Sequence, residues 1–188
     1  MWRIVCAITG LVLTLYLPAQ ATPINVCLAS NGGVLEAGPE TIRDGDWSNF
    51  AQHIGGQGGS IEAIITFPET SIEYVRYRLS GACYQYDGYA IATMDVYLRI
   101  DDAWMNIWDW YGTNSDHYDT DIATSDNGGL GWNDVSGMKL YSTISGSYNS
   151  TASVGHVEME AWAVPEPATL LLLALGGLVG FRRRAWAS

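Results

Sequence analysis

Lysine is almost missing from this chain. Lys139 is the only one, and the 188 residues carry 9 bases against 20 acids, a formal net charge of −11. Arg3, Arg182, Arg183 and Arg184 lie at the two ends. That leaves Arg43, Arg76, Arg78, Arg99 and Lys139 against nineteen acids, a net of −14 over residues 22–164. Without a basic stripe, a nucleic-acid partner and an anionic membrane surface are both disfavoured. Histidine is confined to His53, His117 and His156, each in a different local setting, and cysteine to Cys6, Cys27 and Cys83. Usable zinc spacings are absent. There is no Gly-x-Ser-x-Gly elbow, no His-Glu-x-x-His and no phosphate-binding loop. No catalytic set and no cofactor are expected. Residues 22–164 also lack any sustained helical stripe.

What the middle of the chain does have is alternation. Ala90, Ala92, Met94, Val96, Leu98 and Ile100 share one side of a run whose other side is Tyr89, Ile91, Thr93, Asp95, Tyr97 and Arg99. The sets Ile61, Ala63, Ile65, Phe67 and Val75, Tyr77, Leu79 repeat with the same period, as do Met138, Leu140, Ile144 and Val157, Met159, Ala161, Ala163. Between the runs stand turn formers such as Gly55-Gly56-Gln57-Gly58-Gly59, Asp87-Gly88 and Asp126-Asn127-Gly128-Gly129. Period two with Gly, Asp and Asn punctuation predicts an all-β, antiparallel β-sandwich of jelly-roll type over residues 22–163.

Three features in that domain are candidate sites. Trp104, Trp108 and Trp110 fall on one face if 103–110 is a regular strand. Flat exposed rings would stack on sugars, with Asn106 and Asp109 taking hydroxyls, although large aromatics more often fill a core. Asp116, Asp119, Asp121 and Asp126 crowd one loop. Clustered oxygens suit calcium, but Ile122 and Ala123 break the EF-hand pattern, and a solvated acidic loop is the plainer reading. Glu158 and Glu160 share a strand face. A carboxylate pair could serve sugar chemistry, yet two acids on an outward face ordinarily form its wet side.

The two ends differ in kind. Arg3, an apolar core from Ile4 to Leu17 and the small-x-small triplet Ala19-Gln20-Ala21 read as a secretory signal peptide over residues 1–21, cut after Ala21 by signal peptidase. Removal of Cys6 with it leaves Cys27 and Cys83. In an oxidising compartment an even count predicts a Cys27–Cys83 disulfide. At the other end, Pro165 and Pro167 stiffen a strip around Glu166. An apolar run over 168–181 follows, closed by Arg182, Arg183 and Arg184. Fourteen residues make roughly 21 Å of helix, short for a hydrocarbon core of about 30 Å. The run has no polar face, and arginine stems can snorkel. A transmembrane helix with its basic end in the cytoplasm is therefore expected.

Pro165-Glu166-Pro167, the glycine-bearing apolar helix and the terminal arginines together, over residues 164–188, resemble the PEP-CTERM sorting signal of Gram-negative envelope proteins. The resemblance implies a partner, the membrane protease-transpeptidase exosortase. It implies a transient stay in the inner membrane, then the cell surface or an extracellular polysaccharide matrix. The function expected is that of a non-catalytic envelope or matrix component. The alternative is a carbohydrate-binding module using exposed tryptophans to contact exopolysaccharide. A glycan-active enzyme ranks below both.

Overall fold

A computed structural model describes residues 22–163, except 120, 121 and 148. The expected signal peptide at 1–21, the expected sorting motif Pro165-Glu166-Pro167, the apolar segment 168–181 and the basic end 182–184 lie outside the described residues.

Ten strands follow in order: β1 Ile24–Asn25, β2 Val34–Ala37, β3 Gln52–Gly56, β4 Gly58–Tyr84, β5 Ala90–Ile100, β6 Ala103–Thr113, β7 His117–Asp119, β8 Ala123–Ser125, β9 Trp132–Gly146 and β10 Thr151–Ala163. Two 3-10 turns, Ala29–Asn31 and Glu40–Arg43, are the helical elements among the described residues. Every pairing is antiparallel. All-β architecture was legible in the period-two runs. In β5 the set Ala90, Ala92, Met94, Val96 and Leu98 is fully buried, while its odd-numbered neighbours keep contact with water.

The strand that organises the domain is β4, 27 residues long. The sequence suggests two strands here, around 61–67 and 75–79. They are one strand with a bend. Pro68 sits exposed at that bend, and the register with β9 shifts between Thr66 and Thr70 and again before Ile72. Proline cannot supply a ladder donor, so it falls where pairing is already broken. Before the bend, β4 pairs with β2 and β9; β9 pairs onward with β5, and β5 with β6. After the bend, β4 pairs with β10 on one side and with β7 and β8 on the other. The free side of β10 takes β3 and β1. Ile72 is the pivot, opposite Trp132 of β9 and opposite Ala163 of β10.

Two leaves that share β4 therefore enclose one core. Ala63, Ile65, Met94, Val96, Leu98, Met138 and Leu140 come from the first leaf, and Val75, Tyr77, Leu79, Val154, Met159 and Ala161 from the second. Each such large apolar side chain contributes on the order of 1.5–3 kcal/mol by leaving water. The leaves approach closely at Gly81, where an added Cβ would lie 2.9 Å from the Trp110 ring.

Candidate functional site

The three tryptophans of β6 do not share a face. Val96 pairs with Trp108, but Tyr97 pairs with Asn106, so Ile107 is an extra residue in the β6 strand. One inserted residue reverses the side on which everything before it points. Trp108 and Trp110 therefore stand opposite the buried Val96 and Met94 and turn inward. Trp108 packs 5.6 Å from Tyr77 and 5.3 Å from Tyr118, and Trp110 packs 5.6 Å from Tyr118. Trp104 stands opposite Arg99 and turns outward. The expectation of a single tryptophan surface is corrected accordingly.

Trp104 keeps different company. On the outward side of the first leaf, Tyr97 is registered with Asn106 and Lys139, Asp95 with Asp109 and Tyr141, and Thr93 with Tyr111 and Thr143. The Lys139 ammonium lies 4.4 Å from the Tyr97 ring centre and 4.9 Å from that of Trp104. Gly137 leaves room for the indole; a Cβ there would come within 3.3 Å of it. Asn106 Nδ2 donates to Asp95 Oδ1 at 3.1 Å. Burial pushes the Asp95 carboxyl up, with Asp109 adding to the rise and Asn106 and Lys139 opposing it. Tyr111, at 61% exposure, is the most open ring of the group. The result is a broad, partly wet surface of rings, amides and acids with one cation at its centre. Sequence reasoning missed Tyr97, Tyr141 and Lys139 as members. The lone lysine of an acidic domain was the available signal.

The described acids of the loop do not gather. Asp116 Oδ2 accepts the Thr113 N–H at 2.8 Å, closing its own turn. Asp119 lies 3.7 Å from Arg78. The Asp126 carbonyl accepts the N–H groups of Gly129 and Gly131 in a tight turn, and Asp121 lies outside the described residues. Among the described residues no three His, Cys, Asp or Glu side chains converge as a metal site.

The cysteines are not bridged. Both Cys27 and Cys83 are free and buried. Cys27 sits beside Ala161, since the Val26 N–H donates to the Ala161 carbonyl at 2.8 Å. Cys83 is registered with Ala152. Those two positions lie nine residues apart along β10, ~30 Å at about 3.3 Å per residue. A disulfide needs Cα atoms within about 7 Å. The even count predicted a bridge, but the topology puts the thiols at opposite ends of one strand. Burial pushes the Cys27 thiol up to about 12 and raises that of Cys83 as well, so neither is an activated nucleophile.

The Glu158 and Glu160 face is the largest departure from expectation. It is covered rather than wet: Glu158 is 0% exposed and Glu160 8%. The cover is the stretch from Gly38 to Ala51. Arg43 anchors it, donating from Nη1 to the carbonyls of Cys27 at 3.0 Å and Gly33 at 2.9 Å while gripping Glu40. The Trp47 ring lies 5.0 Å from the Arg76 guanidinium, and the Trp47 carbonyl accepts from Arg78 Nη1. Phe50 closes over Gly155, where any Cβ would meet the ring at 2.5 Å. Beneath the cover, Glu160 Oε2 accepts from Arg76 Nη1 at 3.2 Å and from Trp162 Nε1 at 2.8 Å. Glu158 Oε2 accepts only the Gly45 N–H, at 3.1 Å. Its Oε1 has no hydrogen-bond partner. Burial pushes the Glu158 carboxyl up to about 8, against the lowering effect of Gly45 N–H; Asp44 and Glu160 add to the rise. One acid is thus neutralised by an arginine and the other is shut away from any substrate.

A PEP-CTERM protein-sorting motif matches residues 163–184, so the chain carries this motif immediately after its last core strand. No curated protein matches the sequence. Among solved structures, the chain resembles a truncated AlyQ with CBM32 and alginate lyase domains, at 15% identity and a TM-score of 0.35. That likeness covers 78% of this chain and 34% of the other, about a third of its length. An F5/8 type C domain from Bacteroides fragilis is 9% identical, with 79% and 100% coverage and a TM-score of 0.38. The CBM32 of AlyQ in complex with 4,5-unsaturated mannuronic acid is 15% identical, with 74% and 97% coverage and a TM-score of 0.28. Likeness at this level says nothing about ligand.

Proposed function

We propose that this chain is a non-catalytic surface or matrix protein, a jelly-roll-like β-sandwich exported from the cell and sorted through its C-terminal signal by exosortase. The motif at 163–184 carries this reading. On it, signal peptidase removes residues 1–21, the 168–181 segment holds the protein in the inner membrane, and processing near Pro165-Glu166-Pro167 sends it outward. The acidic composition and near absence of lysine are in keeping with life outside the cell. The non-catalytic part is supported by the Glu158 and Glu160 pair, since Glu160 is engaged by Arg76 and Glu158 is covered. Changing Pro165-Glu166-Pro167 to alanines in cells that carry an exosortase is the test. Accumulation of an uncut, membrane-held form is expected, and unchanged release would overturn the reading.

Carbohydrate contact is a second reading, favoured by the outward rings Tyr97, Trp104 and Tyr111 beside Asn106 and Asp109. Sugars stack on such rings while amides and carboxylates take their hydroxyls. The contact surface on this reading is the outward side of β5, β6 and β9, with Trp104 contributing and Trp108 and Trp110 held inside. Titration with the host's own exopolysaccharide should quench tryptophan emission in the parent protein, and Trp104→Ala should abolish that quench. Equal quenching in the variant would remove Trp104 from the site.

A further inference from the structure

The cover over the second leaf has an unusual fastening. Arg43 holds one end of it, and the Phe50 ring and the Ala51 N–H, which donates to the His156 carbonyl at 2.9 Å, hold the other. Between them Asp44 to Asn49 is exposed apart from the half-buried Trp47. The underside of this span rests on Glu158, whose Oε2 takes the Gly45 N–H and whose buried Oε1 is unpartnered. Asp44 precedes Gly45 on the span, and its carboxyl adds to the rise of the Glu158 carboxyl. Two neighbouring carboxyl groups, one of them buried, favour a state in which one keeps its proton. With the proton on Glu158, its O–H can donate to Asp44. Without it, acceptor faces acceptor and a buried charge is left with the Gly45 N–H on one oxygen and nothing on the other.

The other charges around Glu158 already have partners. On the cover, Arg43 is paired with Glu40, and Asp46 accepts from Ser48 and Asn49. On β10, Glu160 is paired with Arg76. On β4, Arg78 stands opposite Glu158 in register and is engaged by the Trp47 carbonyl and Asp119. His156 turns to the core, toward Ser142 and Gln52, and the buried Cys27 thiol lies beyond.

We propose that Glu158 is a proton-operated latch: protonated, it fastens the span Asp44–Asn49 to the sheet through Asp44 and Gly45, and deprotonation lets the span lift. Lifting uncovers Arg76, Arg78 and Trp162, two of the domain's few cations beside an indole. The sign follows from burial. The Glu158 carboxyl sits near 8 when folded against 4.5 as its ordinary value. Its contribution is fully present below about 4.5 and lost as pH rises through about 8. The span is fastened most tightly in acid, loosens steadily from about pH 4.5, and has lost this fastening above about pH 8.

Hydrogen exchange of residues 44–49 in the full-length chain, purified in mild detergent and corrected for intrinsic rates, tests this between pH 6 and pH 9. Protection should fall about tenfold per pH unit from pH 6 to about pH 8 and level off above it. Glu158→Gln cannot ionise but keeps a donor for Asp44 and an acceptor for Gly45, so its protection should persist to pH 9. Flat protection in the parent between pH 6 and pH 8, or the same loss in Glu158→Gln, overturns the latch. If Glu158→Gln does not fold, Asp44→Asn serves: removing the facing carboxylate should move the midpoint to a different pH, and an unmoved midpoint overturns the proposal. Millimolar calcium at pH 8 should change nothing. Restored protection there would mean that a cation, not a proton, joins the two acids.

Discussion

Ser142 and His156 meet in the middle of the core, with 2.8 Å between Ser142 Oγ and His156 Nε2. One belongs to β9 in the first leaf and the other to β10 in the second, so this contact is a polar tie across an otherwise apolar interior. On the far side of the ring, Gln52 Nε2 lies 2.8 Å from His156 Nδ1. The amide can only donate there, so Nδ1 accepts and Nε2–H donates to the serine. Burial alone holds the imidazole neutral, lowering it to about 3.

That depression has a pH signature. The unfolded chain takes up a proton on His156 near 6.5, and the folded chain resists until about 3. Stability is therefore present above about 6.5 and lost as pH falls through about 3, by roughly 5 kcal/mol at about 1.36 kcal/mol per unit. Melting followed by circular dichroism should show Tm falling across this window, and His156→Gln should flatten that acid limb. A parallel acid limb in the variant would place the effect elsewhere.

The thiols give a second expectation. Cys27 and Cys83 sit apart and buried, so reducing agent should leave the Tm of the mature chain unchanged. A thiol-specific reagent should label neither until denaturant is added. A lowered Tm on reduction would mean that the two are joined after all.

The turned register of β6 separates the tryptophans energetically. Trp108→Ala and Trp110→Ala each open a hole between the leaves and should cost about 3–5 kcal/mol in urea unfolding. Trp104→Ala removes a half-buried outward ring and should cost about a third of that. Equal losses at all three positions would contradict the bulge at Ile107.

Arg43 is buried and gives two hydrogen bonds to main-chain carbonyls from one guanidinium nitrogen. Such charge-assisted bonds are worth about 1.5–3 kcal/mol each. Arg43→Ala should destabilise the domain by about 2–4 kcal/mol and raise exchange over residues 38–51 at every pH. Arg43→Lys should recover only part of this, since an ammonium is not the planar fork. Full recovery would show that charge alone is enough.

Much of this was readable in the residues. The phase of β5 and the inward set Met159, Ala161, Ala163 of β10 follow from alternation alone. The sorting signal follows from the order of its three parts. The tryptophan face was misread because one inserted residue, Ile107, flips a strand, and nothing in Trp104-Met105-Asn106-Ile107-Trp108 announces an insertion. The disulfide was misread because a count of cysteines carries no position along β10. Glu158 and Glu160 were assigned to water because alternation tells which side a residue takes, not what lies on that side. A clue did exist. The connection from 38 to 51 is a long one with only a single helical turn, and long irregular connections in small domains tend to have a task.

The way β10 is seated bears on how the domain would carry load. A protein held by its C-terminal end is pulled at Ala163, along the axis of a 13-residue strand clasped between β4 and β3. Tension in that direction slides one strand past its neighbours, so many ladder bonds must fail together instead of opening one by one like a zip. Because β4 runs unbroken into the other leaf, the strain passes to both halves of the domain.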